Sequence, residues 1–233
     1  MRLTIYIPTY QRPELRACLD SILPQLTDDC KLLVSDNDPA QSARPLCQNH
    51  RILYFSNHLN VGADGNCLRS ITVSNSDYLW VFGDDDIMLP GAIEATLNMM
   101  NGQDRIVHVG EQHGEVTFGF NGTTAEWMDS LQDKSMIVAS TLCTMNVWRL
   151  AALDPCYGIM GLDTRNVMCW AGVKTATVSV ASKPYIKVGR EHPFPFDGFA
   201  KTMDRYLIAY RAAANYEPRF TLQDANNWNY VNV

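Results

Sequence analysis

Apolar positions in the first hundred residues fall into short unbroken runs, each closed by a polar segment and followed by apolar residues three and four apart. Leu3 to Ile7 is a β-rich run ended by Pro8, and Leu15, Cys18, Leu19 and Ile22 then share one helical face. Pro13 in the first turn, with Glu14 beside it, marks the start of that helix. Lys31 to Ser35 does not alternate, so it reads as a strand buried on both sides; it runs into Asp36-Asn37-Asp38-Pro39. Pro39 to Cys47 is weakly helical, and Arg51 to Phe55 is a third strand. A Gly/Asn loop from Asn57 to Asn66 opens a helix that lasts through Val73, and Tyr78 to Phe82 is a fourth strand. After Pro90-Gly91 a helix carries Ile93, Leu97 and Met100 on one face. Strands alternating with helices at these lengths predict an α/β fold: a mostly parallel central sheet, helices on both faces and right-handed crossovers.

Periodicity weakens in the second half. Ile106 to Val109 reads as a strand, residues 111 to 126 as a hairpin or loop, and Trp127 to Leu131 and Val147 to Leu153 as short helices. Thr177 to Val188 holds one or two strands interrupted at Pro184. Phe199, Met203, Tyr206, Leu207 and Tyr210 make one helical stripe, and Glu217 to Val233 is an aromatic, Asn-rich end. The expected division is 1–100 and 101–198 as two halves of one domain, with 199–233 as a helical C-terminal cover.

Composition narrows the function classes. With 233 residues, 46% hydrophobic and 19% charged, the chain can bury one full core. A net charge of -6 argues against a nucleic-acid partner bound through phosphate neutralisation. Seven cysteines, odd in number and without a C-x-x-C pair, indicate neither a zinc site nor a disulfide framework, so reduced thiols in a cytoplasmic setting are expected. The N-terminal apolar stretch is shorter than a signal sequence, and no later run reaches the length of a membrane span. The 199–211 stripe offers a peripheral contact with a membrane surface as an alternative to core packing.

Candidate chemistry lies where strands end. Gly83 stops the fourth strand and Asp84-Asp85-Asp86 follow in a row. Three adjacent carboxylates repel, so they sit in open water or share a cation, and Mg²⁺ or Mn²⁺ is the natural candidate for carboxylates beside phosphates. Ligands of parallel sheets bind at the carboxyl edge, which brings Pro8-Thr9-Tyr10, Asp36 and the acids together. G-x-x-x-x-G-K-[ST] is missing, and Gly62-Ala63-Asp64-Gly65 lacks the G-x-G-x-x-G spacing, so P-loop and dinucleotide readings lose their support.

The ordered set Ile7-Pro8-Thr9-Tyr10-Gln11-Arg12, Val34-Ser35-Asp36-Asn37, Asn60-Val61-Gly62 with Asn66, and Gly83-Asp84-Asp85-Asp86 before Leu89-Pro90 resembles the inverting GT-A glycosyltransferases of family 2. The resemblance implies a GT-A type sheet with a small acceptor-side C-terminal extension, and a nucleotide-sugar donor along the carboxyl edge. It implies that Pro8, Thr9, Tyr10 and Arg12 border the nucleoside, that Asp36 hydrogen-bonds the base and that Asp84 lies near the ribose. By the same resemblance Asp85 reaches Mn²⁺ or Mg²⁺ on the diphosphate with Asp86 in support, while Arg190 and His192 face the diphosphate and metal. UDP is the commonest donor nucleotide of that family, and the acceptor is a glycan or lipid-linked hydroxyl. Residues 137 to 143 match a small-residue segment facing the donor sugar. The family motif has an aspartate where this chain has Gly83. An inverting transfer needs a base for the acceptor hydroxyl. Asp163, at a helix start where it also serves as an N-cap, is the candidate, with Asp154 and Asp197 as weaker alternatives. Two other readings remain at this point: a nucleotidyltransferase, and a carbohydrate-binding protein on a GT-A frame without transferase activity.

Overall fold

The structure, a computed structural model, describes residues 1–100, 105–109, 119, 121–123, 146–150 and 177–187. Strands β1 (Leu3–Thr9), β2 (Cys30–Asp36), β3 (Ile52–Ser56) and β4 (Tyr78–Val81) form the parallel part of the sheet. Between them lie helices α1 (Leu15–Ile22) and α2 (Gly62–Val73). A two-residue strand β5 (Ile87–Met88) and helix α3 (Ala92–Met99) follow. Beyond residue 100 the described strands are β6 (Arg105–His108), β7 (Asn121–Thr123), β8 (Asn146–Arg149), β9 (Thr177–Val180) and β10 (Ile186–Lys187).

The main sheet has the order β3-β2-β1-β4-β8-β6-β9-β7, and β10 pairs with β5 in a second, two-stranded sheet. β3, β2, β1 and β4 are parallel, β8 runs antiparallel between β4 and β6, β9 is parallel to β6, and β7 is antiparallel to β9. The sheet is therefore mostly parallel, as expected, and it passes without a break from the first hundred residues into the second half.

Strand alternation assigns the two faces. Leu3, Ile5 and Ile7 of β1 pack in one cluster with Leu15, Cys18, Leu19 and Ile22 of α1 and with Ala92, Ile93 and Leu97 of α3. Tyr6 points the other way and its hydroxyl donates to the Asn66 carbonyl of α2 at 2.7 Å. Helices thus cover both sides. Trp80, Phe82 and Tyr78 are shut from solvent, and each such side chain contributes about 1.5–3 kcal/mol over leaving it exposed. Arg2 anchors α3 by donating to the carbonyls of Leu97 (2.7 Å) and Met100 (2.9 Å) at its C-terminal end. Gly91 opens α3 with φ 84°, a left-handed backbone that glycine adopts freely.

One sequence expectation changes here, and one strand is added. Residues 147 to 149 belong to a strand, not a short helix: Leu79 opposes Trp148 and Trp80 opposes Val147 across an antiparallel ladder, so sheet pairing overrides a weak helical pattern. The run after the acids is itself a strand, because Met88 opposes Ile186 and the Leu89 amide donates to the Tyr185 carbonyl at 2.7 Å. The expected helices at 127–131, 163–170 and 199–211 lie outside the described residues.

Candidate functional site

Four strand ends build one edge. β1 delivers Pro8 and Thr9, of which Thr9 is buried, and hands over to exposed Tyr10. Gln11 takes a left-handed φ of 53° and its amide donates to Asp38 Oδ2 at 3.2 Å, which ties the loop after β1 to the loop after β2. Non-glycine residues hold this conformation only where neighbours fix them, and such strain concentrates at working sites. Arg12 emerges from the turn with its Nε 3.9 Å from Asp84 Oδ1, so the β1 loop and the β4 acids meet as the sheet topology requires.

Asp36 closes β2 and is turned inward. Its Oδ1 accepts from the Asp38 amide and its Oδ2 from the Ala43 amide and the Tyr54 hydroxyl, each at 2.9 Å, and the residue has no exposed surface. Burial, with the Asp36 hydrogen bond next, pushes the Tyr54 phenol up, so it stays a donor. The carboxylate expected to meet a base also shapes its own loop in this structure, through the amides of Asp38 and Ala43 and the Tyr54 hydroxyl.

The Asn residues of the 57–66 loop make a buried network that pattern reading noted only as a helix start. Asn37 donates to Asn60 Oδ1 (2.7 Å) and the Gly62 carbonyl (3.1 Å), while its own Oδ1 accepts from the Val61 amide (3.0 Å) and Asn57 (2.9 Å). Asn66 joins the same network by accepting from Asn57 at 3.2 Å, and it is held to β2 by accepting from Ser35 Oγ at 2.6 Å and donating to the Ser35 carbonyl at 3.0 Å. Arg69 donates to Asn57 Oδ1 and lies over the Phe55 ring, 4.6 Å from its centroid. A satisfied network of this kind fixes a loop in one arrangement, which leaves Leu59 and Val61 exposed beside the edge.

The acids occupy a turn closed by the Asp86 amide donating to the Gly83 carbonyl at 3.3 Å. Asp84 is 9% exposed, and burial raises its carboxyl from 3.8 to about 6. The Thr9 hydroxyl and the Arg12 guanidinium pull it down, and the Asp85 charge pushes it further up. Asp86 is buried, and Asp85 is half-buried. Both lean over Gly83: a Cβ built there would lie 2.3 Å from Asp86 Oδ2 and 3.4 Å from Asp85 Oδ1. Beneath them Cys18 Sγ donates to the Gly83 carbonyl at 3.4 Å, and burial first, then the charges of Asp86, Asp84 and Asp85, keep this thiol protonated.

Among the described residues no three His, Cys, Asp or Glu side chains converge to cage an ion. Mg²⁺ is held through one or two carboxylates with substrate phosphates completing its shell, so two carboxylates leaning over one bare glycine fit such an ion without a cage. Asp163, Arg190 and His192 lie outside the described residues, as do Asp154 and Asp197. Sequence reading missed Tyr54, Cys18 and the contact of Asp86 with Gly83. Only the absent side chain at position 83 signalled the last of these.

The raised Asp84 carboxyl has a consequence for stability. A folded value of about 6 against 3.8 unfolded means that the native state holds the proton more tightly. Its contribution is full below pH 4 and is lost as pH rises through 6, a fall of about 2–3 kcal/mol from this group. Urea unfolding of the wild type and Asp84→Asn across pH 4–7 measures it: the difference between the two curves is expected to fall along that slope.

The chain resembles curated glycosyltransferases in sequence and solved structures in fold. In Salmonella typhimurium, abequosyltransferase RfbV is 31% identical over 112 residues, covering 44% of this chain and 34% of the relative. The Campylobacter jejuni GalNAc(5)-diNAcBac-PP-undecaprenol beta-1,3-glucosyltransferase is 25% identical over 150 residues, covering 59% of this chain and 48% of the relative. The chain thus spans between a third and a half of the curated relatives it matches. Residues 1–349 of S. aureus TarS superpose with a TM-score of 0.66 at 14% identity, over 97% of this chain and 68% of that one. TarS in complex with UDP-GlcNAc gives 0.66 at 13%, over 97% and 69%. No helix among the described residues is long and apolar enough to cross a membrane. Residues 4–149, which carry every strand end of the site, match the family model described as glycosyl transferase family 2, and the chain belongs to that family.

Proposed function

We propose that this chain carries the donor site of an inverting, metal-dependent glycosyltransferase, which moves a sugar from a nucleotide diphosphate donor, UDP-linked in the first instance, to a hydroxyl acceptor such as a growing surface glycan. The observation that supports the reading best is the meeting of the β1 loop and the acid turn, Arg12 against Asp84, at the carboxyl edge of a family 2 sheet. Tyr10, half-exposed at that edge, offers a ring to the nucleoside beside Pro8 and Thr9. Asp84 serves the ribose end of the donor, and Arg12, released from it, is placed for the diphosphate. Asp85 and Asp86 would hold Mn²⁺ or Mg²⁺. That ion, when bound, neutralises the leaving diphosphate.

The rest of the proposal falls on residues 151–233. Asp163 takes the proton of the acceptor hydroxyl as its oxygen attacks the anomeric carbon, and the diphosphate leaves from the opposite side. Arg190 and His192 flank the diphosphate and metal. The acceptor class in this reading follows the undecaprenol-linked glycan in the name of the Campylobacter relative, and a lipid-linked acceptor would bring the reaction to a membrane surface, with 199–211 as the proposed contact.

A thermal-shift series with UDP, GDP and dTDP, each with and without Mn²⁺, tests the donor and the metal together. One nucleotide is expected to raise the melting point, and only with Mn²⁺, because a ligand at about 100 times its Kd adds about 2.7 kcal/mol to the native state. No shift with any nucleotide counts against a donor site; a shift indifferent to Mn²⁺ counts against the metal.

A further inference from the structure

The bare Cα of Gly83 is the seat of the Asp86 carboxylate. A Cβ at this position would lie 2.3 Å from Asp86 Oδ2, closer than non-bonded atoms come, and 3.0 Å from Asp86 Cγ, a tight contact. Any other residue at 83 must therefore move the backbone or expel Asp86.

Hydrogen bonds hold the backbone on both sides of Gly83. The Gly83 carbonyl accepts from the Asp86 amide at 3.3 Å and from Cys18 Sγ at 3.4 Å. One residue earlier, the Phe82 amide donates to the Tyr6 carbonyl at 2.8 Å. Beyond the turn, α1 and the residues just after it grip the chain again: Ser21 Oγ accepts from the Met88 amide at 3.0 Å, and Gln25 Oε1 accepts from the Ala92 amide at 3.0 Å. β5 is also paired with β10. Side chains at 18 and 21 of α1, and at 25 just beyond it, thus hold both ends of the acid segment, so the clash falls first on the Asp86 side chain.

We infer that Gly83 is a positioning residue that acts through Asp86: the missing side chain is what seats the Asp86 carboxylate in the acid turn, and with it the turn's capacity for a divalent cation. The cation half of this statement rests on the function proposed above; the seating does not.

A double-mutant cycle with Gly83→Ala and Asp86→Ala tests it, read by Mn²⁺ titration followed by electron paramagnetic resonance, by melting point and by crystallography. Each single substitution is expected to weaken Mn²⁺ binding by about 10-fold or more. In the Asp86→Ala background Gly83→Ala is expected to cost less than about 2-fold, because the group it displaces is gone. The Gly83→Ala crystal structure is expected to show Asp86 displaced, and the double variant to recover melting stability that Gly83→Ala alone loses. Losses that multiply, an unmoved Asp86, or equal destabilisation by Gly83→Ala in both backgrounds would each overturn the inference. If the wild type binds no Mn²⁺, the metal reading fails, while the crystal structure and the melting points still decide the seating.

Discussion

Asp85→Ala is expected to lower kcat/KM for sugar transfer by about 100- to 1,000-fold, the scale on which a single preorganised charge-stabilising group works in a water-poor site. Three features separate Asp85 from its neighbours. Asp86 is seated over Gly83, and Asp84 is paired with Arg12 and carries a carboxyl raised to about 6. Asp85 is less buried than either. In the proposed site its loss removes charge from the leaving-group side. The melting point of Asp85→Ala without ligand should stay near wild type. Asp84→Asn, which keeps the shape and removes a charge that burial already disfavours, should cost less than about 10-fold. Steady-state kinetics on the three proteins, with Mn²⁺ varied, checks the order. Equal losses at 84 and 85 would mean that the acids act as one undivided cluster.

The sequence made the parallel half of this fold readable because β1, β2 and β4 are almost wholly buried and run out at Pro, Asp or Gly, while β3 is an apolar run closed by Ser56-Asn57. β1, β2, β3 and β4 all lie within two residues of where the apolar runs put them. β8 was misread for the opposite reason: Asn146–Arg149 has no strand signature of its own and becomes a strand because β4 and β6 offer ladders on both sides. β5 is two residues long, too short for any period to register. At the site, the sequence indicated which residues gather and said less about which way they face. Strand order brings the loop after β1 to the acids, and the structure has Arg12 of that loop 3.9 Å from Asp84. Spacing is silent on whether Asp36 looks outward or inward, since that depends on Ala43 and Tyr54, seven and eighteen residues away.

The inward Asp36 leads to the largest expected loss of stability. Asp36→Ala strands two buried backbone donors and the Tyr54 hydroxyl, and at about 1–3 kcal/mol for each unsatisfied donor the fold should lose about 3–5 kcal/mol, allowing for water that enters the gap. Tyr54→Phe removes one donor and leaves the carboxylate two, so about 1–2 kcal/mol is expected. Denaturant unfolding measures both. The same variants separate two roles for Asp36 in nucleotide recognition. A carboxylate that reads the base directly gives an Asp36→Asn protein that is nearly as stable as wild type but altered in its preference among UDP, GDP and dTDP. A carboxylate that builds the loop gives the reverse: stability falls first, every nucleotide weakens together, and Tyr54→Phe, which touches no ligand, weakens them in the same proportion. With both oxygens engaged by protein donors and no exposed surface on the residue, the second pattern is the one the structure leads us to expect.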